Sequence, residues 1–239
     1  MNQDNLPSGF STMSSSIEFA DNYNKWIINK FRPYMGNHLL EVGTGQGNFK
    51  KYLQFIDNYV SIDIDEAVIE RAKKRNPTEN YYQVDITKIA DIQKIQDFKF
   101  DTVMMVNVLE HIENDYAALK NLYDLISPGG HILIFVPAFM NLYNDFDRLA
   151  GHFLRYTKKT FKQRSKELEK NIVKLEYFNP VGAAGWWANK FKKHNDLDSP
   201  ETNKQIRFFD KYLIPVSKIT NPVFKSFFGQ SLIVVIRKN

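Results

Sequence analysis

The 239-residue chain contains no cysteine. That excludes disulfides, thiolate metal sites, cysteine-held iron–sulfur clusters and a cysteine nucleophile. It also lacks any apolar run long enough to span a bilayer. The N-terminal stretch MNQDNLPSGFSTMSSS is polar and has no apolar centre, so it does not read as a signal peptide. Residues 1–15 read as a mobile leader and residues 16–239 as a single domain, with a cytoplasmic location expected. Neither sign of charge dominates: 32 basic residues against 27 acidic ones leave +5. Such an excess is compatible with an anionic substrate, nucleic acid or a lipid surface, and equally with a solvated basic face. The chain is long enough for one α/β domain with a sizeable core.

What is present is concentrated in LLEVGTGQGNF, residues 39–49. An apolar run (Leu39, Leu40, Val42) suits a buried parallel strand. Gly43, Gly45 and Gly47 follow, where a backbone without Cβ atoms can turn sharply and approach a ligand. Glu41 stands at the strand's carboxyl end, the ligand-binding edge of an open α/β sheet. A carboxylate there favours a cationic group over a pyrophosphate, and a buried carboxylate without a partner is costly. A dinucleotide fingerprint would need a further glycine where Asn48 stands. Residues 59–62 then read as a second strand ending in Asp63, with Asp65 as N-cap of a helix over 66–75. Residues 81–84 form a third strand ending in Asp85. Residues 101–106 lead into NVLEHI, and residues 125–138, LISPGGHILIFVPA, read as a helix end, a turn and a fifth strand. This alternation implies a parallel sheet with right-handed crossovers.

The order and spacing over residues 39–137 resemble the class I methyltransferases that use S-adenosylmethionine, and the second half (PAF, LY, GHFLRYTKKTF, YFNPVGAAGWW) resembles their bacterial type 11/12 branch. The resemblance implies a Rossmann-like α/β fold. Its seven-stranded, mostly parallel sheet has the order 3-2-1-4-5-7-6, the last strand antiparallel and helices on both faces. It also implies the cofactor S-adenosyl-L-methionine. The loop of Gly43, Thr44, Gly45 and Gly47 would pass under the methionine part, with Glu41 facing its ammonium side. Asp63, with Ile64, would take the ribose hydroxyls, Asp85 the adenine amino group and Ile86 its ring. Asn107 and Val108 would border the transferred methyl. The absence of cysteine removes both carbon-5 cytosine methylation by the cysteine route and radical use of the cofactor.

A helix is expected over residues 17–31, another over 158–170 with Thr157 as its cap, a sixth strand over 172–178 and the last strand over 231–237. Residues 138–157 and 179–228 read as a substrate-side lid and helical cap, with Pro215 and Pro222 as punctuation. An oxygen acceptor needs a proton acceptor, and a neutral histidine suits that task near pH 7. His111, in VLEHI, and His152, in GHFLRYT, are the two candidates, with Arg155 and Tyr156 as orienters of an acidic or sugar acceptor. The alternative for His111 is a structural histidine, and for the others a lid packed on itself. His38, His131 and His194 are assigned no chemistry. No metal site is expected: Asp145 and Asp147 are close, but no further ligand set stands at useful spacing.

The expectation is metal-independent methyl transfer to an oxygen of a small-molecule, glycan or lipid-linked acceptor, with peripheral membrane contact open. Trp186, Trp187, Phe191, Phe208 and Phe209 would stack on sugars, hold an apolar chain or simply pack. An RNA methyltransferase is a second reading, with Lys190, Lys192, Lys193 and Arg207 tracking phosphates. A non-catalytic cofactor-binding module is the third.

Overall fold

The computed structural model describes residues 20–45, 47–189 and 200–239. The 1–15 leader, Ile17, Phe19, Lys190, Phe191, Lys192, Lys193 and His194 lie outside the described residues.

Seven strands form one sheet: β1 (His38–Val42), β2 (Asn58–Asp63), β3 (Asn80–Gln83), β4 (Thr102–Val106), β5 (His131–Pro137), β6 (Ile172–Phe178) and β7 (Ser231–Arg237). Their order is β3-β2-β1-β4-β5-β7-β6. β3, β2, β1, β4 and β5 run parallel, and β7 is antiparallel to both β5 and β6. This is the Rossmann-like α/β sheet that the sequence implies.

Burial on both faces explains the strand sequences. Alternate residues of a strand point to opposite faces, and both faces here are covered. Leu40, Val42, Val60, Ile62, Val103 and Met105 join one apolar cluster, closed by Leu119 and Leu122 of the helix Asp115–Leu125. Leu39, Tyr59, Met104, Leu133 and Phe135 join the other, closed by Trp26, Ile27 and Phe31 of the helix Asp21–Phe31. Such double coverage is why the central strands read as continuous apolar runs rather than alternating ones. The helix Glu66–Arg75 starts where expected: the Ala67 N–H donates to Asp65 Oδ1 at 2.9 Å.

Two local expectations shift. The helix after Thr157 stops at Ser165, not Lys170. Lys166 then takes φ 46°, and a 3-10 segment Lys166–Asn171 turns Leu168 into the core. Pro215 and Pro222 do not break the insertion either. Residues 200–224 form one helical run: Pro200–Phe208, a π-turn Phe209–Leu213, and Ile214–Phe224. Pro215 sits in the first turn after the π-turn, where a missing N–H costs little. Among the described residues no helix is long and apolar enough to cross a membrane.

Candidate functional site

The carboxyl ends of β1, β2, β3 and β4 meet at one edge. Gly43, Gly45 and Gly47 take φ 73°, 54° and 72°, conformations that L side chains rarely adopt. The Gly43 and Thr44 N–H groups both donate to the Ile62 carbonyl, at 2.8 and 3.0 Å, which pins the loop against β2. A Cβ at Gly43 would stand 2.4 Å from Val108 Cγ2. The first loop and the loop after β4 therefore touch through a glycine that no larger residue can replace. Asn107 holds φ 54° there.

Asp63 ties the cradle together. Its carboxylate accepts the Gly45 N–H at 3.3 Å and the Asp65 N–H at 3.1 Å. Burial raises its pKa above the usual carboxylate range in spite of those bonds. Beside it Ile64 leaves 59% of its surface exposed, an apolar face at the strand end with nothing over it. Thr44 is 3% exposed and its Oγ1 has no hydrogen-bond partner. An orphaned hydroxyl, close backbone and a bare apolar face form a cradle that fits a nucleoside-bearing cofactor.

Glu41 and Asp85 have partners of their own. Glu41 is 2% exposed and accepts from the Tyr59 hydroxyl and from Ser61 Oγ, the latter at 3.1 Å. Its burial alone thus requires no ligand. Burial pushes its pKa up to about 7, against the pull of those two hydroxyls. Asp85 accepts the Thr87 N–H and Oγ1–H, at 3.0 and 2.6 Å, and faces Lys88 Nζ at 3.1 Å. Its partial burial raises the pKa, but Thr87 and Lys88 outweigh it and hold the group below the usual range. Ile86 is buried, and its carbonyl accepts from Asn121.

On the acceptor side, the short helix Asp145–Leu149 is opened by a capping box between Asn144 and Asp147. Asp147 is fully buried. Its Oδ2 accepts the Asn144 N–H at 3.0 Å, and its Oδ1 accepts from His152 Nδ1 at 2.7 Å and Arg155 Nε at 2.8 Å. Burial works against its charge, but His152 and Arg155 keep its pKa low. A charged Asp147 fixes His152 with Nδ1 as donor and Nε2 turned away. That Nε2 lies 3.8 Å from Glu110 Oε1, and the His111 and His152 rings meet edge-on at 4.7 Å. Glu110 is wholly buried, and neither carboxylate oxygen has a hydrogen-bond partner. Burial pushes Glu110 up to about 7, and burial together with His152 pushes His111 down to about 4. The Phe153 N–H donates to the Glu110 carbonyl at 2.8 Å, locking the loop after β5 onto the loop after β4.

The structure thus brings His111 and His152 together. Arg155 reaches them only through Asp147: it is buried, donates also to the Ala138 carbonyl at 3.1 Å and lies under Trp186. Tyr156 is not brought to this site. It is a core residue whose hydroxyl donates to Asp115 at 2.9 Å, because its bridge to Ala138 turns the ring inward beneath the sheet edge. Sequence reasoning passed over Glu110, although it sits in the quoted VLEHI, and set Asp147 aside with Asp145. Trp186 packs on Phe146, Trp187 and Phe208 are exposed, and Phe209 packs against the apolar cluster of the helix Asp21–Phe31.

Residues 40–134 match the family model described as a methyltransferase domain. A probable polyketide synthase of Dictyostelium discoideum is 26% identical over 71% of the chain, but the chain's match spans only 7% of that protein. Among solved structures, a SAM-dependent methyltransferase from Archaeoglobus fulgidus has TM-score 0.56 at 18% identity, covering 90% of this chain and 92% of that one. The plantazolicin methyltransferase BpumL in complex with SAH has TM-score 0.54 at 16% identity, covering 94% and 84%. At these identities the structural likeness is one of fold. Strand order and glycine cradle are those of the class I methyltransferase fold, residues 40–134 carry the match to a methyltransferase domain, and the cradle fits S-adenosylmethionine as cofactor. Within that class it is the type 11 model that residues 40–134 match.

Proposed function

We propose that this chain transfers the methyl group of S-adenosylmethionine to an oxygen of a small, sugar-like or lipid-linked acceptor. The observation that carries the oxygen assignment is the Asp147–His152 hydrogen bond beside Glu110 and His111. Bound at the glycine cradle, the cofactor supplies a methyl on a positively charged sulfur. As the new oxygen–carbon bond forms, the carbon–sulfur bond breaks and its electron pair stays on sulfur. The chain's own task is alignment, which can contribute roughly 7–11 kcal/mol, and removal of the acceptor's proton. His152 Nε2 takes that proton, and Asp147, bonded to Nδ1, steadies the resulting cation. A positioned base of this kind contributes about 10²–10⁴-fold. In this reading Gly43, Gly45, Gly47, Thr44, Asp63 and Ile64 hold the cofactor, Asn107 and Val108 border the methyl, and Glu41, Asp85 and Ile86 take the roles the resemblance gives them. A labelled-methyl assay on fractionated cell extract tests it: label should enter glycan or lipid. Label in RNA, or in nothing despite tight cofactor binding, would reject it.

A lipid-linked acceptor is favoured by one further feature. Along the helical run 200–224 and just beyond it, Phe208, Tyr212, Val216, Ile219, Val223 and Phe227 are all exposed at spacings of one helical turn. Lys204, Arg207, Lys211, Lys218 and Lys225 flank them. Between Phe208 and Phe227 the one acid, Asp210, is buried and accepts from the Asn22 and Tyr23 backbone N–H groups. An apolar stripe edged by cations matches an anionic bilayer surface. The RNA alternative is not favoured by the proteins this chain is similar to.

A further inference from the structure

We infer that Glu110, His111 and His152 form a binding site for a divalent transition cation, positioned to hold the acceptor's hydroxyl next to the methyl donor. Its use in catalysis rests on the methyltransferase reading; the site itself stands on geometry.

One ligand atom from each of the three residues lies within 4.8 Å of the others. Metal–nitrogen and metal–oxygen bonds of about 2 Å put neighbouring ligand atoms roughly 3–3.5 Å apart. The Glu110–His152 pair, at 3.8 Å, is nearly there. Side-chain shifts of roughly 1–1.5 Å at the widest pair would close the set.

Glu110 is the independent observation. It is 0% exposed, yet both carboxylate oxygens lack a hydrogen-bond partner. Buried polar atoms are almost always paired, and a buried carboxylate with no hydrogen-bond partner within reach is among the most costly exceptions. Among the described residues the neighbouring cationic groups do not fill the gap: Arg155 is committed to Asp147 and Ala138, and His152 Nε2 stands 3.8 Å off. A bound cation satisfies Glu110 directly.

The outer contacts are those that metal-binding imidazoles need. A ligating histidine nearly always gives its second nitrogen to a carboxylate or a backbone carbonyl. His152 gives Nδ1 to Asp147. His111 has backbone hydrogen bonds with Ala150 and Gly151. His152 thereby keeps Nε2 on the Glu110 side, and a ring nitrogen of His111 lies within 4.8 Å of both other ligand atoms. Two imidazoles and one carboxylate, with no thiolate anywhere in the chain, suit zinc and its first-row neighbours better than magnesium or calcium. Three protein ligands leave open positions for an acceptor oxygen. With the site loaded, His152 is a ligand instead of the base. The acceptor hydroxyl is then made acidic by coordination, its proton passes to water, and the resulting alkoxide makes the same oxygen–carbon bond while sulfur keeps the electron pair.

The test uses the full chain, stripped with a chelator and titrated with Zn²⁺ against a chromophoric competitor, with Co²⁺ as a spectroscopic probe. One cation per chain should bind, and bound Co²⁺ should show visible absorption of a low-coordinate nitrogen–oxygen site. Glu110→Gln, which keeps the buried shape, and Asp147→Asn should each weaken binding by tenfold or more. His152→Ala should abolish the one-to-one site, and His38→Ala should not change it. Absence of saturable one-to-one binding, or equal binding by His152→Ala, would overturn the inference. If the stripped protein binds no cation but still transfers methyl, the inference falls and His152 as base stands. A cation bound in a protein that methylates nothing would keep the site and remove the function.

Discussion

The cofactor half and the acceptor half of the site are held in different ways. Around β1, β2 and β4 the cradle is made largely of backbone: three glycines at positive φ, two N–H groups on the Ile62 carbonyl and Asn107 at φ 54°. Past β4 and β5 the site is made of buried side-chain charge: Glu110, Asp147 and Arg155 with His111 and His152 between them. Backbone cradles accept one ligand shape with little dependence on neighbouring side chains. Charge clusters depend on every member, because each leaves another unpaired when removed. Substitutions should therefore separate cleanly, those in the first half acting on cofactor affinity and those in the second on turnover.

The largest expected effect lies in the acceptor half. His152→Ala should lower kcat by about 10²–10⁴-fold, while calorimetry with S-adenosylhomocysteine shows affinity near that of the parent. A matching loss of cofactor affinity would mean that the two halves are not independent. Asp63→Ala probes the other half. It removes the carboxylate proposed to accept ribose hydroxyls and also the tie to the Gly45 N–H. Hydrogen bonds to a charged group are worth about 1.5–3 kcal/mol, so affinity should fall roughly 10- to 100-fold. Unchanged affinity would remove Asp63 from the cofactor site.

The same contrast explains what was legible in the sequence. The cradle is local: the residues of each turn lie within a few positions of a strand end, so Gly43, Gly45, Gly47, Asp63 and the Asp65 cap could be placed by spacing alone. The sheet order followed from resemblance and stands. The acceptor cluster is not local. His111 and His152 meet only because the Phe153 N–H and the Glu110 carbonyl join two loops, and no spacing rule shows that pairing. Tyr156, four residues after His152 in GHFLRYT, looked like part of the same face. The bridge between Ala138 and Tyr156 turns it into the core instead. Pro215 and Pro222 looked like breaks because propensity outweighs context on paper; the π-turn and the solvent-facing side of the helix absorb them.

The helical run 200–224 sharpens the comparison on the acceptor side. Ile219 and Val223 are 79% and 68% exposed, so acidic replacements there leave the core untouched. The parent should sediment with vesicles containing phosphatidylserine and dissociate as salt rises. Ile219→Glu with Val223→Glu should weaken that binding by about tenfold, with no change in cofactor affinity. Equal sedimentation of parent and variant, or none of either, would remove the membrane from the account of the acceptor.

The smallest effect concerns Glu41, which belongs to the cradle yet is buried like the acceptor cluster. Its carboxyl has a folded pKa of about 7 against an ordinary 4.5, burial being the main cause. The folded state therefore holds a proton that the unfolded chain has given up. Stability from this source is complete below about pH 4.5 and is lost as pH rises through 7, a difference of about 3 kcal/mol. Asp63 shifts in the same direction and adds to the slope. Glu41→Gln should flatten the Glu41 part in chemical denaturation from pH 5 to 8. Cofactor binding should carry the opposite sign. If the cofactor's ammonium lies over Glu41, binding favours the ionised carboxylate, so affinity for S-adenosylhomocysteine should rise about three- to tenfold from pH 6 to 8, with net proton release near pH 7. Calorimetry in buffers of different ionisation enthalpy reads that release directly. If release is the same in Glu41→Gln, Glu41 serves Tyr59 and Ser61 alone, and the ammonium is held by backbone, as the rest of the cradle is.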